Sequence, residues 1–139
     1  MEDWRKVRIL IDTNIILELI LEQERCEQAR ELFINSHRHE FFMSDFSIHS
    51  IGIFLFRRNQ HDDFRRFIKD MLINIGVKIS SLTMDDTDSL ISAAEKFNLD
   101  FDDAYQYTVA EKHGLTIVSF DRDFDRTERG RKEPGGAIK

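Results

Sequence analysis

Asp12 ends the apolar run in "VRILID", and six further aspartates crowd the stretch from Leu99 to Asp125: Asp100, Asp102, Asp103, Asp121, Asp123 and Asp125. Carboxylates brought together repel one another and take up protons unless something positive relieves them. A hard divalent cation does this well, because Mg2+ and Mn2+ prefer carboxylate and water oxygens. Such a centre can activate a water and stabilise the charge on a phosphate under attack. Whether the acids meet depends on the elements that carry them.

"VRILID" and "LTIVSF" read as buried strands, and "EFFMS" and "VKISSL" as shorter ones. Between them lie helical stretches: "TNIILELILEQ", with Thr13 or Asn14 as cap, "ERCEQARELFINS", and "DFSIHSIGIFLFRR", capped by Ser44. "DDFRRFIKDMLINIG" has the clearest amphipathic spacing, with Gly76 to end it. "MDDTDSLISAAEKFN" and "DFDDAYQYTVAEKHG" follow, the second closed by Gly114. Strands alternating with helices predict an α/β layer fold with a mainly parallel sheet.

That alternation places the acids. Asp12 falls at the carboxyl end of the first strand and Asp121 just past the end of the last. The helix feeding the last strand runs antiparallel to it, so its acidic start, Asp102 and Asp103, falls at the same end. Ligands of open α/β sheets bind outside the carboxyl ends of the strands. Asp12, Asp103 and Asp121 are therefore expected to converge on one sheet edge. Asp100 and Asp125 fit better as a helix cap and a solvated charge.

The remaining features set bounds. The 139 residues suffice for one domain with one core, expected to span 1–139 with a polar, basic C-terminal tail from about residue 126. No apolar run reaches the roughly 20 residues of a membrane span, and the N-terminus lacks the pattern of a signal peptide. The single cysteine, Cys26, excludes an internal disulfide framework, and a cytoplasmic location is expected. The net charge of −6 excludes a protein that grips nucleic acid by a global basic field. A nucleic-acid role then needs a local basic patch, a metal, or both. The densest basic stretch, "DRDFDRTERGRK", begins at the last acids and offers Arg122 and Arg126 for phosphates.

"ILIDTNIIL", "LDFDDAYQYTVAEKHG" and "TIVSFDRDF", in this order and spacing, resemble the PIN domain, in particular its small VapC-type members. The resemblance covers nearly the whole chain. It implies a three-layer α/β/α sandwich around a parallel sheet. It also implies a Mg2+- or Mn2+-dependent endoribonuclease, often homodimeric, acting on RNA and paired with an antitoxin protein. Carried over by motif, the catalytic and metal-holding acids fall on Asp12, Asp103 and Asp121, with Asp123 assisting. Thr13, Asn14 and Ser119 fall where the family supports its acids by hydrogen bonding.

One family acid has no counterpart. A Glu usually follows a Ser at the cap of the third helix by about six residues, and counting from Ser44 lands on Ser50. Ser50, or its neighbour His49, would then hold a water or the metal in that place. The gap keeps open a second function, a non-catalytic or weakened PIN-like module that binds RNA or protein. A phospho-accepting receiver domain fits poorly, since no Lys follows "TIVSF". A haloacid-dehalogenase-type phosphatase would want an acid where Asn14 stands.

Overall fold

The computed structural model describes residues 7–34 and 36–134. Its spine is a four-stranded, all-parallel sheet in the order β3-β2-β1-β4. The strands are β1 (Val7–Ile11), β2 (His39–Ser44), β3 (Lys78–Ser80) and β4 (Thr116–Val118). The two central strands, β1 and β2, are apolar at successive positions, as a sheet covered on both faces requires. Ile9 and Ile11 point into one core, with Phe41, Met43 and Val118. Leu10 points into the other, with Phe42 and Ile117.

Helices α1 (Thr13–Ile20), α2 (Cys26–Ile34), α3 (Asp45–Arg57) and α4 (His61–Phe67) supply the first core with Ile15, Ile16, Ala29, Leu32, Ile51, Leu55 and Phe67. Helices α5 (Thr87–Phe97) and α6 (Phe101–His113) supply the second with Ala93, Ala104, Tyr107, Val109 and Ala110. The result is a helix–sheet–helix sandwich. Among the described residues no helix is long and apolar enough to cross a membrane.

Local chemistry fixes the boundaries that matter for the site. α1 is capped by Asp12, whose side chain accepts from the Thr13 N–H, and not by Thr13 or Asn14. Ser44 ends β2 and caps α3, as the sequence suggests. Asp100 caps α6 by accepting from the Asp103 N–H. Gly114 ends that helix at φ +65°, a left-handed conformation that favours glycine. The amphipathic stretch after Gln60 is helical throughout, but α4 widens into a π-helical segment, Ile68–Ile75, before Gly76 stops it at φ +81°.

The C-terminal stretch is a strap. After a 3-10 turn at Arg122–Arg126, the chain returns along β4. Lys132 receives a hydrogen bond from Ser119 N–H on its carbonyl and gives one to the Ile117 carbonyl. Its arginines bind backbone as well as acids. Arg126 donates to the Phe97 and Asn98 carbonyls at the end of α5, Arg129 to Leu115, and Arg131 to Ser119. Phe124 and Thr127 are buried beneath.

Candidate metal centre

Three elements deliver the acids. β1 ends at Asp12, α6 begins its first turn with Asp103, and the loop after β4 carries Asp121 and Asp123. Because α6 runs antiparallel to β4, all of them lie at the carboxyl edge of the sheet. Asp103, Asp121 and Asp123 form a tight group, each offering a carboxylate oxygen within 4.8 Å of the others.

Burial makes this group costly without a cation. Asp103 is 6% exposed, and its carboxyl is pushed up to about 8. The causes are, in order, burial, a hydrogen bond with the Asp121 carboxyl, and the charges of Asp121, Asp100 and Asp12. Asp123 differs, because Arg126 neutralises it through a 3.0 Å contact. Asp121 is oriented by its backbone, with its N–H donating to Ser119 Oγ and its carboxylate accepting from the Asp123 N–H.

Asp12 is built differently. Its Oδ1 accepts from the Thr13 N–H and from Gln106 Nε2, both at 2.8 Å. Its Oδ2 accepts from Ser119 Oγ at 2.7 Å and, more weakly, from Asn14 Nδ2 at 3.4 Å. Burial raises its pKa, the bonds from Ser119, Gln106 and Thr13 oppose that rise, and the charge of Asp121 adds to it. The charge of Asp12 reaches Asp103 only weakly, and Asp12 lies outside the close group of Asp103, Asp121 and Asp123. The hydroxyl of Ser119 is the hinge between them, bound to Asp12 on one side and to the Asp121 backbone on the other.

The expected supporting residues divide. Asn14 and Ser119 bond to Asp12, and Asn14 Oδ1 also accepts from the Phe120 N–H. Thr13 supports Asp12 through its backbone only, while its hydroxyl donates to Ser47 Oγ. Ser50 is half-buried on α3, one turn after the fully buried Ser47. His49 is exposed on the same helix. Arg122 is exposed and makes no hydrogen bond or ion pair among the described residues. Arg126 departs from the phosphate role read for it, because Asp123 and two backbone carbonyls already engage its donors.

Two residues of the site escaped the sequence reading. Gln106, 1% exposed, donates from Nε2 to both Asp12 Oδ1 and Ser47 Oγ at 2.8 Å. Ser47 also accepts from the Thr13 hydroxyl and bonds to Ser44. A neutral polar network of three helices thus fills the corner beside Asp12, and Gln106 Oε1 is buried there without a partner among the described residues. The signal was available, since Gln106 lies three residues after Asp103, and residues three apart share a helix face.

Sequence comparison with curated proteins gives no significant match. Among the solved structures that share the fold are three toxins or toxin complexes. One is a toxin–antitoxin complex from Klebsiella pneumoniae, at 19% identity and TM-score 0.64, covering 84% of this chain and 89% of that one. Another is Mycobacterium tuberculosis VapC20, titled a sarcin-ricin loop cleaving toxin, at 20% identity and TM-score 0.73, covering 91% and 99%. A third is VapBC2 from Rickettsia felis bound to a promoter DNA fragment, at 14% identity and TM-score 0.68, covering 90% and 96%. Residues 9–130, which contain every acid discussed above, match the PIN domain family, and the chain belongs to it.

Proposed function

We propose that this chain is a Mg2+- or Mn2+-dependent endoribonuclease whose cation is held by Asp103, Asp121 and Asp123, with Asp12 beside them. The carrying observation is the group of three carboxylates within 4.8 Å, one of them pushed up to about 8. All the donors are hard oxygens, which fits these two cations. When bound, the cation supplies charge stabilisation at the attacked phosphate and activation of water.

The protein's own residues do the rest. Asp12 holds Ser119, and Ser119 holds the backbone at Asp121, so the acid of the first strand aims the acid of the last. Asp103, protonated to about pH 8 by its burial, would hold the cation as a carboxylate with its proton released. Arg126 keeps Asp123 in place from outside the group. Arg122, free and adjacent to both acids in sequence, is positioned for a phosphate of the strand.

The toxin of a toxin–antitoxin pair is the biological setting we infer, supported by the likeness to the Klebsiella pneumoniae toxin–antitoxin complex and to the toxin VapC20. In that setting the chain acts on cytoplasmic RNA and is held by an antitoxin protein, and exposed apolar residues such as Phe56 and Ile53 on α3 suit contact with a second copy. Incubation of purified protein with total RNA in Mg2+, Mn2+ or EDTA tests the reading. Metal-dependent cleavage that Asp121→Asn removes supports it. Metal binding absent and RNA uncut would favour the binding module, the reading that Ser50 in place of the family's Glu keeps open.

A further inference from the structure

Arg25 lies in the loop between α1 and α2, far in sequence from Asp103, Asp121 and Asp123. Its backbone N–H donates to Glu18 Oε2 at 3.0 Å, which fixes the loop. Its guanidinium carbon sits 3.9 Å from the centroid of the Phe120 ring. Phe120 directly precedes Asp121, and its own N–H is held by Asn14 Oδ1. One ring and one peptide bond therefore connect Arg25 to the acidic group.

Arg25 is exposed, and among the described residues its side chain has neither a hydrogen bond nor an ion pair. In this it differs from Arg126, Arg129 and Arg131, whose donors hold the strap. A cation–π contact uses the face of the guanidinium and leaves the donors on its edge available. Those donors form a planar fork suited to phosphate, and stacking on a buried ring fixes the plane in advance. A chain of net charge −6 that draws a polyanion to a cluster of acids needs such a local cation.

We propose that Arg25 is a phosphate-binding residue, gripping a backbone phosphate of the nucleic-acid strand beside the acidic group. The proposal rests on the nuclease reading above. The test is fluorescence anisotropy with a fluorescein-labelled RNA hairpin and its single-stranded form, in an Asp121→Asn background so that the probe stays intact. Arg25→Met keeps Phe120 covered and removes the charge. Losing one phosphate contact lowers the slope of log affinity against log salt by about 0.7 and weakens binding about fivefold at about 0.1 M salt. The melting temperature and Mn2+ affinity measured by calorimetry in the wild-type background stay unchanged.

Arg25→Lys, which keeps the charge but loses the fork and the stack, should recover the salt slope and only part of the affinity. Equal affinity and slope for Arg25→Met, in a protein that binds and cuts RNA, would overturn the assignment and leave the nuclease standing, with Arg25 serving only to cover Phe120. RNA binding that depends on Arg25 in a protein that never cuts would support the assignment and overturn the nuclease. No binding of either probe overturns both.

Discussion

Asp103 at the start of α6 and Asp121 after the end of β4 bring carboxylate oxygens within 4.8 Å of each other, and burial beside that charge favours the protonated form of Asp103. The proton that Asp103 keeps there belongs to the folded state. Aspartate in an unfolded chain titrates near 4, whereas Asp103 in the fold is pushed up to about 8. Between those values the folded state binds a proton that the unfolded state lacks, so raising the pH removes stability. The contribution is fully present below about 4 and fully lost above about 8. Melting temperatures in EDTA across this window should therefore fall more steeply for the wild type than for Asp103→Asn, and Mn2+ should restore the wild type at the alkaline end. Parallel curves would mean that Asp103 is ionised throughout.

Asp121→Asn should abolish cleavage and reduce Mn2+ affinity by at least the 10–100-fold typical of losing a ligand or its support. Without metal the same variant should be more stable than the wild type at pH 8, because one charge leaves a repelling group. Thermal melts with and without Mn2+ read both effects. A variant that cuts RNA at full rate would remove Asp121 from the site.

Gln106 is the residue whose loss should be felt without any metal. Gln106→Leu preserves bulk but deletes the bonds to Asp12 and Ser47. Leaving buried acceptors short of a donor costs about 1–3 kcal/mol, readable as a shift of the urea midpoint at unchanged m-value. Cleavage should fall as well, because Asp12 loses one of the donors that orient it. An unchanged midpoint would mean that water replaces the amide at no cost.

Ser50 stands one turn along α3 from Ser47, half-buried. If that turn faces the acids, Ser50→Glu adds a carboxylate and should tighten Mn2+ binding about tenfold while lowering the metal-free melting temperature. Calorimetric titration decides it, and unchanged affinity would assign the corner beside Asp12 to Gln106 alone.

Much of this arrangement is legible in the sequence because parallel strands alternating with helices fix which end of each element lies where. That rule carries Asp12, Asp103 and Asp121 to one edge from opposite ends of the chain, and it needs no side-chain detail. What it does not carry is hydrogen-bond geometry. The capping of α1 by Asp12 depends on the conformation of a single peptide. The division between the three grouped acids and the donor-saturated Asp12 depends on where one glutamine amide reaches. The arginines of the last stretch were least legible. As a string they read as a basic tail, and only the fold shows that Arg126, Arg129 and Arg131 divide their donors between acids and carbonyls of neighbouring elements.

The strap gives the loop before Asp121 two owners. From within, Asp12 holds the hydroxyl of Ser119; from without, the Lys132 carbonyl holds its N–H. The same strap pairs with the outer side of β4, where a bare strand would otherwise invite another chain to dock along it. Protection against self-association and retention of the acidic loop are therefore one contact. A protease that trimmed the chain back past Lys132 would release both together, so loosening of the acidic loop and clumping would arrive as a single event.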